Sequence, residues 1–379
     1  MHRRHCLAWA AAPAILALPA VARAEPGVSD REVVIGQSIA LQGGTLAYGV
    51  EAQAGIQAVL QPLNDSGGVH GRRLALRTLD DRNDARQAEA HATQLADDGV
   101  FMLFGSIEGG PSAAVAKVAE ARRLPFVGPM AGAPTLRRPH LAMVFPVRAE
   151  HREEFRALVG WARRTGLSTV AFFHSDSEVG RAHLDNTRLA CEEAGARLLY
   201  GLPVKGDVDD AALQAMVRRL QAEPVDCLFN HGSASPYGRL IKAARAAGVR
   251  TAFMGVNSGS TELARALGET GRGMVFSQVM PSPWQRRTAL VRDYQQAFGA
   301  VHPGRAYSYA SLEGFATARA LVAGLQKAGP RLTRAGLLQA LETMDLDLGG
   351  VPLRWRPGDH AGAHYVDLAM VARDGRFVQ

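Results

Sequence analysis

Between Val33 and Leu79 the chain follows a pattern that few folds accept. An apolar strand pattern (Val33 to Ala40) runs into the turn Gln42-Gly43-Gly44-Thr45 and then a helix pattern from about Ala47 to Asn64. After the Gly67-Gly68 break a second strand pattern runs from Arg72 to Leu79. Strand, turn, helix and strand make a βαβ unit, whose two strands lie parallel. In open parallel sheets, small molecules bind outside the carboxyl ends of the strands, where a turn brings backbone N–H groups beside a helix start.

The same rhythm continues. Helix patterns at about 84–96 and 112–122 alternate with strands Val100 to Phe104 and Pro125 to Gly128, and Met143 to Val147 is a further extended run. A second series begins with a helix at His151-Arg152-Glu153-Glu154. Strands Thr169 to Phe173, Arg197 to Leu202, Val225 to Asn230 and Thr251 to Met254 alternate with helices at about 179–194, 210–221 and 236–247. The expected fold class is α/β, with two similar Rossmann-like lobes built on parallel-dominated sheets. Gly273 to Met280 is a strand stopped by Pro281-Ser282-Pro283, helices at about 284–299, 307–328 and 333–344 follow, and Val351–Arg356 with Tyr365–Ala372 alternate like a hairpin. With no long linker in sight, the lobes are expected to join through short crossings near 145–148, 278–283 and 349–353. The division is 25–147 plus 282–349 for lobe 1 and 148–281 plus 350–379 for lobe 2.

Residues 1–24 have the layout of a cleavable secretory signal: Arg3 and Arg4, an apolar run from Leu7 to about Leu18, then Ala22-Arg23-Ala24. The run is too short, and too interrupted by Pro13 and Pro19, to span a membrane. His5-Cys6 fits a twin-arginine signal poorly, so the Sec route to the periplasm is expected. Removing this segment takes away three arginines and no acid, so the net charge falls from +7 to +4. That excess is scattered, without a basic block or interleaved aromatics, so no nucleic-acid partner is expected. Cys191 and Cys227 remain, and Cys227 lies in an apolar strand, so two buried thiols are expected.

Nothing specifies catalysis. There is no G-x-S-x-G and no G-x-x-x-x-G-K-[ST], and Gly268-x-x-Gly271-x-Gly273 precedes a strand instead of following one. His360 and His364 have i, i+4 spacing, but Pro357, Gly358 and Gly362 point to a surface loop, so neither a metal nor a cofactor is expected. What recurs is short polar or glycine-rich sequence at strand ends. Gln42-Gly43 with Tyr48, Ser106 through Glu108-Gly109-Gly110 to Ser112, and Met130-Ala131-Gly132 belong to the first lobe. Asp176 with Val179, His231-Gly232-Ser233 and Asn257 belong to the second, and Gln278, within the strand Gly273 to Met280, is a further site candidate there. Six such turns at equivalent ends of two facing lobes point to a cleft that grips one small molecule and closes about the crossings.

The glycine pattern from Gly36 through Gly43-Gly44, Tyr48-Gly49, Gly55, Asn64-x-x-Gly67-Gly68-Val69-x-Gly71-Arg72-x-Leu74 to Asp80-Asp81 resembles a known family. With Ala243-x-Arg245-Ala246-Ala247-Gly248 and Phe253-Met254-Gly255, it is similar to the leucine/isoleucine/valine-binding family of periplasmic substrate-binding proteins of ABC importers. The resemblance covers essentially the whole chain after residue 24. It implies a type I periplasmic-binding fold with three crossovers, a ligand in the cleft, no catalysis, and docking of the loaded form, a monomer, on an ABC permease. It also implies that the ligand carboxylate is held at the turn after Val100–Phe104, here Glu108-Gly109-Gly110-Pro111 and Ser112, with only backbone amides and Ser112 to do so. The position implied for an acid that holds the ligand ammonium carries Asn257, and the position implied for an aromatic carries Ser233. A buried ammonium without its carboxylate costs several kcal/mol. A small carboxylate, an amide or an amino-acid derivative is therefore expected in place of a standard branched-chain amino acid. Glu108 is either a replacement charge or a surface residue. A ligand sensor of the same fold, or a secreted α/β enzyme using Glu108 with His231, are the alternatives.

Overall fold

The computed structural model describes residues 25–42, 46–206, 208–231, 234–257, 259–373 and 376–378. The first sheet takes shape from strand β1 (Glu32–Ile39), helix α1 (Leu46–Asp65), β2 (Arg73–Asp80), α2 (Ala85–Asp97), β3 (Met102–Phe104), α3 (Gly109–Arg122), β4 (Phe126–Val127) and β5 (Val144–Phe145). Its strands pair in parallel in the order β2-β1-β3-β4-β5. The order reverses direction between β1 and β3, so the turns after these two strands flank a crevice.

After helix α4 (His151–Arg164), the second sheet repeats that plan with β6 (Thr169–Ser175), α5 (Glu178–Ala194), β7 (Arg197–Val204), α6 (Asp210–Ala222), β8 (Cys227–His231), α7 (Ala234–Ala246), β9 (Ala252–Gly255), α8 (Ser260–Leu267) and β10 (Val275–Gln278). The parallel order β7-β6-β8-β9-β10 reproduces that of the first sheet, with the switch between β6 and β8. Helix starts are set locally. Asp84 accepts from Gln87 N at 2.8 Å, Ser177 from Gly180 N at 3.1 Å and Asp209 from Ala212 N at 2.7 Å, each satisfying an N–H that the helix leaves unpaired.

The chain then returns to the first sheet with α9 (Ala289–Val301), α10 (Tyr309–Ala328) and α11 (Arg334–Glu342). Helix α10 lies against α1 at backbone contact. A Cβ on Gly55 would sit 1.8 Å from Ser311 O, and one on Gly314 would sit 2.1 Å from Ala52 O. Gly55 belongs to the glycine pattern read from the sequence, and its reason is this packing and not a ligand.

The tail departs from expectation. Strand β12 (Pro352–Arg356) pairs with β11 (Asp345–Asp347) and β13 (Asp359–Gly362), whereas β14 (Asp367–Val371) pairs with β10 and with β15 (Phe377–Val378). The two alternating stretches therefore belong to different sheets and form no hairpin. Val351, Leu353, Trp355 and Ala363 join the core under the first sheet, and Trp355 Nε1 donates to Pro146 O at 2.8 Å. His360 is also no surface residue. It is buried in β13, with Nδ1 3.1 Å from the carbonyl oxygens of Leu141 and Val144 and its ring stacked on Phe145. Cys191 and Cys227 are buried free thiols, and burial pushes both up to about 12. No described helix is long and apolar enough to cross a membrane.

Candidate functional site: a buried charge cluster where the two sheets meet

The turns named from the sequence fall into distinct environments. Tyr48, on the first turns of α1, is half-buried. Ser106 and Ser112 are buried and hydrogen-bonded to each other at 2.7 Å, so each already has a partner. Glu108 is half-buried, Gly109 likewise, and Gly110 is exposed at the start of α3. Helix α3 begins at Gly109, three residues before the expected Ser112, because Pro111 falls within the first turn, where its missing N–H costs nothing. Met130, Ala131 and Gly132 are buried, with Met130 N donating to Ser106 O at 2.8 Å. Asn257 and Gln278 are buried in the second lobe, and His231 is half-buried at the end of β8. By contrast, Gln42 is exposed, Val179 is 42% exposed, and exposed Asp176 pairs with Arg181 at 3.2 Å. Gly43, Gly232 and Ser233 lie outside the described residues.

Glu108 is conformationally exceptional. Its φ of 61° and ψ of 151° lie in a region that is essentially the preserve of glycine, and its side chain caps nothing. It holds its carboxylate in the field of Arg148 and opposite Glu262 of α8. Burial raises its pKa, with Glu262 adding to the shift and Arg148 opposing it.

Arg148 organises the cluster. It follows the apolar run that ends at Val147, and it is only 1% exposed. Its Nη2 donates to Glu154 Oε1 at 2.5 Å, and its Nε lies 3.9 Å from Glu313 Oε1. Glu154, on the first turn of α4, is fully buried and saturated. Its Oε2 accepts from Asn257 N at 2.9 Å and Ser277 Oγ at 2.7 Å, and its Oε1 also lies 2.8 Å from His151 Nδ1. Burial alone would raise its pKa, but Arg148 and His151 outweigh that and hold it down at about 2.

Glu313, one turn into α10, is 1% exposed and poorly satisfied. Its Oε2 accepts from the Tyr48 hydroxyl at 2.5 Å, while Oε1 accepts no hydrogen bond from any described residue. Burial raises its pKa, against the lowering effects of Arg148 and Tyr48. The Asn257 side chain faces it from the second lobe, yet Asn257 Nδ2 completes no hydrogen bond there, and Gln278 Oε1 is likewise buried and unpaired. One arginine thus stands among three carboxylates, and Glu154 already holds it.

A second clamp fixes the crossing. Buried Arg137 donates to the carbonyl oxygens of Ala131 and Ala133 at 3.2 Å, of Arg148 at 2.9 Å and of Ala361 at 3.3 Å. Burial lowers it to about 9 even though Glu150 pulls the other way. This side chain ties the Met130–Ala133 turn to Arg148 and to β13 at once. Deeper in the second lobe, His151, His183 and His231 bring one ring nitrogen each to within 4.8 Å of one another. Glu108 stands in the field of Arg148 and Glu262, while His231 packs against the other two histidines and feels Glu154 and the same Arg148. A groove of about 610 Å³ along α2, lined by Arg86, Glu89 and Asp97 among others, lies away from all of this, and no buried polar group converges on it.

Sequence reading missed Arg148, Glu154, His151, His183, Ser277 and Glu313. The available signal was a charge placed where burial was predicted. Arg148 directly follows an apolar strand, and Glu313 is the one acid in Tyr309–Ala318, a stretch that is buried throughout.

Comparison with known proteins agrees with this architecture. A family model described as periplasmic binding protein matches residues 32–376. Leu/Ile/Val-binding protein homolog 1 of Brucella abortus is 25% identical over 358 residues, covering 90% of this chain and 95% of that protein. The crystal structure of a substrate-binding periplasmic protein from Ralstonia solanacearum superposes with a TM-score of 0.80 at 24% identity, covering 92% of this chain and 100% of that one. An extracellular ligand-binding receptor from Verminephrobacter eiseniae has a TM-score of 0.80 at 25% identity over the same shares. These relatives are solute-binding proteins and not enzymes. With the doubled parallel sheets and the match over nearly its whole length, the chain belongs to the periplasmic binding protein family and is similar to its Leu/Ile/Val-binding protein homologues.

Proposed function

We propose that this protein captures a small molecule between its two lobes in the periplasm and delivers it, without chemical change, to an ABC permease. In this reading residues 1–24 are removed on export and the binding unit is a monomer. The first lobe is residues 25–147 with 282–349. The packing of Val351, Leu353, Trp355 and Ala363 on the first core favours extending it to about 363, which puts the third crossing just before β14.

The observation that carries the ligand assignment is Glu313, a buried carboxylate with one oxygen free and its nearest cation already engaged by Glu154. With Glu108 in the same field, the cluster has an excess of negative charge that a cationic nitrogen on the ligand would balance. The Gly109 and Gly110 amides at the start of α3 suit the opposite end, a carboxylate, because a helix start presents unpaired N–H groups. Of the ligand classes open to the sequence, this arrangement supports an amino-acid derivative best. The acid absent at Asn257 is supplied by Glu313, which that amide faces. Tyr48 is the wall beside it, and Asn257 Nδ2 and Gln278 Oε1 are atoms of the opposite lobe without a hydrogen-bond partner among the described residues.

Thermal-shift screening of the purified protein against amino acids, amino-acid derivatives, aromatic acids, short-chain acids and amides tests this reading. The largest shifts are expected from molecules carrying both a cationic nitrogen and a carboxylate. Shifts from plain carboxylates alone would overturn the ligand class. Because Glu313 can supply the acid that Asn257 lacks, leucine and valine belong to the same chemical class. Shifts from them equal to those of the derivatives would overturn a ligand other than a standard branched-chain amino acid.

A further inference from the structure

His151 opens α4, His183 lies inside α5 and His231 ends β8, so three separate elements converge on one point at the switch of the second sheet. The His183 and His231 rings stand 3.7 Å apart between centroids, His151 and His231 4.3 Å, and His151 and His183 5.2 Å. His183 is fully buried, and neither of its ring nitrogens has a hydrogen-bond partner among the described residues. Burying a polar group without a partner costs roughly 1–3 kcal/mol, so a buried imidazole with two orphaned nitrogens implies something that pairs with it.

Three imidazoles from separate elements aim at one point. Glu154 Oε1 lies 2.8 Å from His151 Nδ1, which leaves His151 Nε2 as the nitrogen open to a cation. A carboxylate behind a histidine is the usual outer support of a metal-binding imidazole.

We propose that His151, His183 and His231 form a three-histidine site for a borderline divalent transition-metal ion of the Zn2+ class. Imidazole nitrogens suit zinc, copper and nickel over magnesium or calcium, which prefer oxygen donors. Metal–nitrogen bonds near 2.0–2.1 Å place ligand nitrogens about 3.3 Å apart in a tetrahedron. The present spread of up to 4.8 Å therefore closes by about 1.5 Å through ring rotation. The fourth position takes water or a donor atom of the bound solute. Gly132 backs the His151 ring so closely that a Cβ there would lie 2.7 Å from Nδ1. The ion would be one carboxylate, Glu154, away from Arg148.

The test needs no solute, so it stands apart from the ligand assignment. The protein is stripped with chelator, titrated with ZnCl2 by calorimetry, and its retained metal is counted after dialysis. X-ray absorption on the wild-type complex reads imidazole ligation directly, so the answer does not depend on any variant folding. One equivalent of zinc with three nitrogen scatterers is expected. A His183→Phe variant should bind at least tenfold more weakly, whereas His364→Ala, at an exposed site, should bind as the wild type does. Failure of the wild type to retain stoichiometric zinc, oxygen-only ligation, or unchanged affinity in His183→Phe would overturn the proposal.

Discussion

The hydroxyl of Tyr48 donates a 2.5 Å hydrogen bond to Oε2 of Glu313, joining the first turns of α1 to the second turn of α10 across 265 positions of sequence. Burial, with Glu313 adding to it, keeps the tyrosine well above its usual range, so it remains a donor at any physiological pH. Tyr48→Phe leaves Glu313 buried with neither oxygen hydrogen-bonded. The expected loss is about 1–3 kcal/mol of unfolding free energy, measured by urea denaturation, together with weaker solute binding.

Glu108 keeps a glycine-only backbone conformation beside the charge cluster. Such strain costs of order 1–3 kcal/mol and persists where function requires it. Glu108→Gly is therefore expected to raise stability by about 1 kcal/mol while weakening binding of the cationic solute. Parallel denaturation and calorimetry check both halves. A variant that loses stability would contradict the strain.

Arg137 holds four carbonyl oxygens from three segments, with no carboxylate of the described residues in hydrogen-bond contact. Arg137→Met keeps much of the volume and removes every donor. Each bond from a charged donor is worth about 1.5–3 kcal/mol, so a loss of several kcal/mol in a denaturation titration is expected. A change within about 0.5 kcal/mol, typical of surface substitutions, would show that the crossings do not depend on this clamp.

The pH dependence follows from Glu313, whose pKa is raised by burial. A carboxyl that holds its proton more tightly folded than unfolded contributes stability below its unfolded value. That contribution is lost as pH rises through the raised folded value. Solute binding runs the other way, because the cation needs the ionised carboxylate, so affinity should rise with pH across the same window. Glu313→Gln should flatten both trends, read by thermal melts and by calorimetry at stepped pH.

Much of the fold was legible because parallel strands announce themselves as apolar runs between helices. Expected and observed strands agree to within a few residues from β1 through β10, as with Val33–Ala40 against Glu32–Ile39, whereas helix α8 (Ser260–Leu267) was not expected. The tail was misread because alternation identifies a strand but not its partner. Val351–Arg356 and Tyr365–Ala372 have the same pattern and join different sheets. The buried charge cluster was legible only at its rim. Turn chemistry pointed to Tyr48, Glu108 and Asn257, but the charges that set its electrostatics lie on helices and a crossing. Arg148, Glu154 and Glu313 meet through tertiary packing, with 159 positions between Glu154 and Glu313, and no local spacing encodes that.

Calorimetric titration of the purified wild-type protein and its Glu313→Gln variant, with the best cationic amino-acid derivative from the thermal screen, tests the central claim most directly. The account predicts saturable one-to-one binding to the wild type and an affinity at least tenfold lower in the variant, a loss of about 1.4 kcal/mol or more. Equal affinity in the two proteins would contradict it.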